Sequence, residues 1–221
     1  MTTAQAIKFE SQDQGEETAR ADIYGLLATL LYAPPSQTLL DTIAAAPVQG
    51  DSGLELAWAD LVAACKTAQQ ESVREEYEQL FIGVGKPEVM LYGSYYLSGF
   101  LMEKPLAELR TDLMQLGLQR SDDVVESEDH LATLCEVMRY LIASDDVVNA
   151  NLVTQKKFFS DHMQAWVVNC CDAIEGSANA HFYKQVARLA RQFFEVEMQA
   201  FDMSLNLSLI HISEPTRQEA I

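Results

Sequence analysis

Positive charge is scarce in this sequence of 221 residues, which has 15 lysines and arginines against 33 aspartates and glutamates. The formal net charge of −18 gives a surface that repels phosphate backbones and anionic lipids. We therefore expect the chain to bind neither nucleic acid nor membrane, and a cationic partner is favoured. An acidity that only keeps the chain in solution explains the same composition and stays open as an alternative.

Cysteine is also scarce and has no metal-binding pattern. The four cysteines are Cys65, Cys135, Cys170 and Cys171, and no two of them have the Cys-x-x-Cys spacing. The adjacent pair suits neither a zinc knuckle nor an ordinary disulfide, which indicates a reducing compartment. No apolar run approaches the roughly 18 residues of a membrane span, and the N-terminus lacks the order of a secretory signal. We expect a soluble, cytoplasmic protein.

The familiar motifs of helical and nucleotide-binding enzymes are missing. No histidine has a glutamate three positions before it, as di-iron sites require, and there is no His-Glu-x-x-His sequence. The stretch "GVGKPE" fails the dinucleotide fingerprint, and "YGSYY" is not a nucleophile elbow. We therefore expect no enzymatic activity, no catalytic residues, no metal and no cofactor. A metal-dependent helical enzyme and a structural subunit of a larger complex stay open as alternatives.

Helical periodicity dominates the chain, and no alternating run predicts a strand. After an acidic first turn at Glu16, apolar residues recur at helical spacing until Pro34 and Pro35 end the pattern. Ser36 is a candidate cap for the next helix, and Gly117 ends a later one. The prediction is an all-α fold of roughly ten helices.

Composition divides the chain into two helical domains. Residues 16–117 form an N-terminal helical domain, and residues 129–205 form a smaller C-terminal one. Residues 118–128, "LQRSDDVVESE", are polar and acidic and form the predicted hinge. We expect residues 1–15 to be mobile, and residues 206–221 to be a non-native tail.

Acidic residues concentrate where the hinge meets the next helix. They are Asp122, Asp123, Glu126, Glu128 and Asp129, and His130 follows them. One interpretation is a capped helix, with Asp129 as the N-cap and His130 neutral at the helix start. The other is a negative cleft that binds paired guanidinium groups. An apolar, tyrosine-rich stretch from Glu78 to Met102 would form its floor, unless that stretch is core.

Four segments in a fixed order resemble a known family. They are a Tyr-x-x-Leu-Phe segment at 77–81, a Gly-Ser-x-Tyr-Leu segment at 93–97, a Lys-Pro-Leu-Ala helix start at 104–107 and Glu-x-x-Asp-His at 126–130. Together they resemble the TorD/DmsD family of twin-arginine redox-enzyme chaperones, which includes NarJ-like members. The resemblance covers about residues 16–203.

The resemblance implies an all-helical chaperone. Such a protein binds the twin-arginine signal peptide and the apo form of a molybdoenzyme, and supports insertion of the molybdenum cofactor before export without catalysing it. The expected client is the precursor of trimethylamine N-oxide reductase. A peptide-binding role is implied for Glu126, Asp129, His130, Tyr77, Phe81, Tyr92, Ser94 and Tyr96.

Two short segments depart from the family pattern. Ser127 stands where the family often has a proline, which predicts a less rigid hinge. Leu91 and Tyr92 precede Gly93 where Pro-Trp or Pro-Tyr is common. Nothing resembles a nucleotide site. A flexible hinge also allows two copies to exchange domains, so a homodimer is compatible with the sequence.

Overall fold

Ten α-helices and one π-helical turn make up the regular structure of the described residues. The computed structural model describes residues 12–121, 124–146, 148 and 151–212. The helices are α1 (Gln12–Tyr32), α2 (Gln37–Ala44), α3 (Gly53–Cys65), α4 (Gln70–Tyr77), α5 (Gly93–Ser98), α6 (Lys104–Gln115), α7 (Leu131–Ala143), α8 (Leu152–His162), α9 (Val167–Gly176) and α10 (Phe182–Ile212), and the π-helical turn is Glu78–Ile82. Within the described residues there is no β-strand, so the all-α prediction is confirmed.

Local signals set several helix ends as the sequence predicts. The Ser36 hydroxyl accepts the Leu39 amide at 3.2 Å and caps α2. Gly117, at φ 70°, ends α6, and the Leu118 amide behind it donates to the Leu113 carbonyl at 2.9 Å. This 6→1 bond identifies a Schellman ending, in which glycine tolerates the left-handed backbone.

One continuous core joins helices from both sides of the hinge. Helix α1 packs against α7, and α10 packs against α3 and α9. Tyr24, Phe193 and Trp166 are among its fully buried side chains. The division into two domains at residues 118–128 stays a prediction.

A buried ion pair fastens the first helix to the last. The guanidinium of Arg20 on α1 donates two hydrogen bonds of 2.8 Å to the Glu197 carboxylate on α10, and the Tyr24 hydroxyl donates a third of 3.0 Å. Glu197 is only 2% exposed, so Arg20 compensates a charge that water cannot reach.

Both ends of the regular structure extend further than predicted. Helix α1 begins at Gln12 rather than at Glu16, and α10 continues to Ile212, beyond the domain end predicted at residue 205. Helix α10 therefore extends into the predicted tail. Residues 1–11 and 213–221 lie outside the described residues, and the non-native origin of residues 206–221 stays a prediction.

Candidate functional site

Two segments that are distant in sequence meet at the predicted site. The Gly93 amide donates to the Asp129 carbonyl at 2.9 Å, and the Leu131 amide donates to the Leu91 carbonyl at 2.7 Å. These bonds form an isolated antiparallel bridge that pairs Tyr92 with His130. The start of α5 is thereby fixed to the start of α7, and we call this contact the junction.

The Asp129 carboxylate connects the two sides of the junction. It is 4% exposed, and one of its oxygens accepts both the Ser94 amide, at 2.9 Å, and the Ser94 hydroxyl. The other oxygen accepts the Ser127 hydroxyl. The carboxylate therefore caps the first turn of α5, for which Tyr92, the residue at the N-cap, provides no side-chain bond.

His130, and not Asp129, caps α7. Its Nδ1 accepts the Ala132 amide at 3.2 Å, while the backbone at His130 is extended, with φ −65° and ψ 135°. The prediction that Asp129 is this cap was wrong, because its carboxylate is already bonded across the junction. Burial lowers the pKa of His130 to about 4, although the Glu126 and Asp129 carboxylates oppose this shift. The histidine is therefore neutral at neutral pH, as expected from its place at a helix start.

The acids at the hinge bond to different partners. The Tyr92 hydroxyl donates to Glu126, and burial followed by this carboxylate raises the pKa of Tyr92. Glu128 instead forms ion pairs with Arg110, at 2.9 Å, and Arg120, at 3.7 Å. Asp129 is buried and Glu128 is paired with arginines of its own chain, so both carboxylates already have partners. Asp122 and Asp123 lie outside the described residues.

Two of the predicted contact residues lie in the core. The Tyr77 ring packs edge-on against Phe81 at 5.1 Å, and both rings contact Tyr183. The Tyr77 hydroxyl donates to the Tyr32 carbonyl at 2.7 Å. Burial and the nearby Glu126 carboxylate raise the pKa of Tyr77 to about 12. These contacts agree with the alternative that this part of the stretch is core.

Tyr96 and Gly93 of the junction both pack against the indole of Trp166. Its ring stacks on Trp166, with 5.4 Å between centroids and 19° between planes. The same indole approaches Gly93 so closely that a Cβ there would meet three of its atoms at 3.1–3.2 Å. A side chain at position 93 would therefore require the indole of Trp166 to shift by a few tenths of an ångström.

An open groove lies beside the junction. A pocket of about 220 Å³, which we call the inner pocket, is lined by Ser94, Leu97, Glu108, Asp129, Asp161 and His162, among others. A second pocket of about 440 Å³ shares Glu108, Asp161 and His162 with the first and adds Asp112. We call the two connected pockets the acidic groove, since α6 and α8 supply Glu108, Asp112 and Asp161 to its walls.

The acidic groove already holds a cation of its own chain. The Lys157 ammonium pairs with Asp161 and lies 3.7 Å from the Asp112 carboxylate, which also accepts from His162 Nε2 at 2.8 Å when that nitrogen carries a proton. Sequence reasoning missed this groove. Glu108 and Asp112 share a helix face at a spacing of four residues, but no local pattern connects them with Asp161 on another helix.

A second, apolar groove lies on the opposite face of α7. It has a volume of about 450 Å³ and is lined by Ala28, Tyr32, Val124, Ala132 and Arg120, among others. The hinge therefore runs from this apolar groove to the acidic one.

The described residues contain neither a cluster suited to a metal ion nor a helix suited to span a membrane. Among these residues, no group of three or more His, Cys, Asp or Glu side chains is arranged to hold a metal ion. In the same ranges, no helix combines the length and the apolar character that a membrane span needs.

Comparisons with known proteins agree with the resemblance. The family model described as nitrate reductase delta subunit matches residues 49–172, more than half of the chain. The chaperone protein TorD of Vibrio parahaemolyticus is 23% identical over 198 residues, which cover 80% of this chain and 92% of that protein. A protein described as a probable Tat proofreading chaperone DmsD, from Haemophilus influenzae, is 26% identical over 149 residues, 66% of each chain.

A solved structure shares the fold. A crystal structure from Archaeoglobus fulgidus, of a protein assigned to redox enzyme maturation, superposes with a TM-score of 0.54 at 18% identity. The match covers 87% of this chain and 99% of that one. Because the family model matches more than half of its residues, the chain belongs to the nitrate reductase delta subunit family, and the resemblance to TorD and DmsD chaperones is confirmed.

Proposed function

We propose that this protein is a cytoplasmic chaperone of molybdoenzyme maturation. It binds the twin-arginine signal peptide and the apo form of its client, and it keeps the client from export until the molybdenum cofactor is inserted. Relatives named as TorD and DmsD chaperones support this role. The TorD matches favour the precursor of trimethylamine N-oxide reductase as the client. The proposal assigns the chain no catalytic step.

The acidic groove is the observation that carries the proposal. Two consecutive arginines present two planar guanidinium groups, each of which pairs best with a carboxylate. Glu108 and Asp161 are exposed on the walls of the groove, where the Lys157 ammonium pairs with Asp161 and lies 3.7 Å from Asp112. The net charge of −18 adds a long-range attraction for a basic peptide.

The junction gives this groove its shape. Asp129 and Ser94 line the inner pocket, but their polar groups are bonded to each other. We therefore assign a structural role in the groove to Asp129, His130 and Ser94. Tyr92 and Glu126 stabilise the groove from the side of the hinge. Direct pairing with arginine falls to the exposed carboxylates.

Titration calorimetry with a signal peptide tests the proposal. The probe is the twin-arginine signal peptide of the trimethylamine N-oxide reductase encoded in the same genome, with a version in which both arginines are glutamine as its control. We expect a dissociation constant on the order of micromolar or lower, which weakens as salt screens the groove. The double variant Glu108→Gln/Asp161→Asn should bind at least about tenfold more weakly.

A charge-matched variant separates the contribution of the groove to peptide binding from the contribution of the net charge. Asp60→Asn/Glu75→Gln removes two exposed carboxylates from α3 and α4, away from the groove. It should bind nearly as the wild type does. Equal losses in both double variants would mean that net charge, and not the acidic groove, attracts the peptide. If the wild type binds neither peptide, the proposed function is wrong.

A further inference from the structure

A short apolar loop projects beside the acidic groove. Four of its six residues expose large apolar side chains: Leu97 is 43% exposed, Phe100 70%, Leu101 43% and Met102 78%. We call residues 97–102 the apolar tip. Isolated exposed apolar residues are ordinary on protein surfaces, but four within six residues form a patch of the kind that marks a binding surface.

The junction holds the apolar tip in place. The Met102 amide donates to the Ser94 hydroxyl at 3.3 Å, and the Ser98 hydroxyl donates to the Ser94 carbonyl at 2.7 Å. Met102 has φ 59°, the only positive φ among the described residues other than glycine. A residue with a side chain costs about 1 kcal/mol or more in this region, so the anchors keep the tip in a conformation that it would not favour alone.

The apolar tip is continuous with the acidic groove. Leu97 belongs to the tip and also lines the inner pocket, together with Glu108, Asp129 and Asp161. A ligand that crosses this boundary meets carboxylates on one side and apolar side chains on the other. The surface is therefore complementary to a segment in which basic residues are followed directly by apolar ones.

We infer that the apolar tip binds the apolar stretch of the same signal peptide whose arginines occupy the acidic groove. This inference rests on the proposed function and deepens it. Signal peptides place a basic region directly before an apolar stretch of about 7–15 residues, in the order that the surface presents. A second copy of this chain is a poorer occupant, because two chains of charge −18 repel each other.

The test replaces two apolar side chains of the tip and compares a full peptide with a shortened one. Phe100→Ser/Met102→Gln replaces the two most exposed side chains of the tip, and Leu56→Gln/Met203→Gln is a matched control that removes two exposed apolar side chains elsewhere. The full signal peptide and a peptide that ends after the arginine region are titrated against each protein. Far-ultraviolet circular dichroism verifies that both variants are folded.

We expect the tip variant to bind the full peptide at least about tenfold more weakly than the wild type, since burying even parts of two apolar side chains supplies this much. It should bind the short peptide as the wild type does, and the control should bind both normally. If the tip variant binds the full peptide with wild-type affinity, this inference is wrong while the proposed function stands. Failure of the wild type to bind either peptide would instead refute the proposed function.

Sedimentation velocity without peptide tests whether a second copy of this chain occupies the apolar tip instead. We expect wild type and tip variant to sediment alike. Self-association of the wild type that disappears in Phe100→Ser/Met102→Gln would make the tip a contact between copies and overturn the inference.

Discussion

Replacing Asp129 with alanine should destabilise the whole protein, because its carboxylate joins α5 to α7. Three donors lose their acceptor: the amide and hydroxyl of Ser94, which is fully buried, and the hydroxyl of Ser127. A hydrogen bond to a charged group contributes roughly 1.5–3 kcal/mol, and a buried donor without a partner carries a further cost. Allowing for water that enters the vacated space, we expect a loss of about 3–5 kcal/mol.

The variant Asp129→Asn separates the loss of stability caused by broken hydrogen bonds from the loss caused by missing side-chain volume. Asp129→Asn keeps one oxygen for the Ser94 donors, and its amide group can donate to the Ser127 hydroxyl. We expect it to lose only about 1–2 kcal/mol. Asp161→Ala removes an exposed carboxylate from the groove wall and should change stability by no more than about 0.5 kcal/mol.

Urea unfolding followed by circular dichroism measures these differences, and hydrogen exchange localises them. In Asp129→Ala, the amides of Ser94 and Met102 should exchange faster than in the wild type, because both depend on the Ser94–Asp129 contact. If Asp129→Ala is as stable as Asp161→Ala, the carboxylate does not hold the junction, and the structural role assigned to it is wrong.

Two further predictions concern buried charge. Because burial lowers the pKa of His130 to about 4, the unfolded chain binds a proton that the folded chain does not as pH falls from about 6.5 to about 4. The wild type should therefore lose about 3 kcal/mol more over this range than His130→Asn, which keeps a capping side chain without a titration; parallel stability curves would contradict this. Arg20→Ala leaves the buried Glu197 unpaired and should cost about 3–5 kcal/mol, whereas Arg74→Ala breaks only exposed pairs on a helix surface and should cost about 1 kcal/mol or less. Similar losses in both arginine variants, measured by urea unfolding, would show that the Glu197 charge is not isolated from water.

Local sequence predicts much of the helical architecture. The period of the apolar residues, the Ser36 cap and the Gly117 ending each depend on neighbours within one or two helical turns, so the sequence predicts them directly. Its prediction failed for Asp129, whose side chain suits a helix start equally well on α5 or α7. Only the approach of residues 91–94 to residues 129–131 decides between the two.

The candidate site shows the same limit. The sequence identified the residues of the junction through the family resemblance, but the junction is mostly bonded to itself. The acidic groove joins Glu108 on α6 to Asp161 on α8, and the apolar tip lies beside both. The period of the apolar residues predicted a helical protein, and composition by itself determined that the chain is acidic, which favours a cationic partner. The tertiary structure decided where such a partner could bind, because a groove between helices depends on contacts between distant residues that no local pattern specifies.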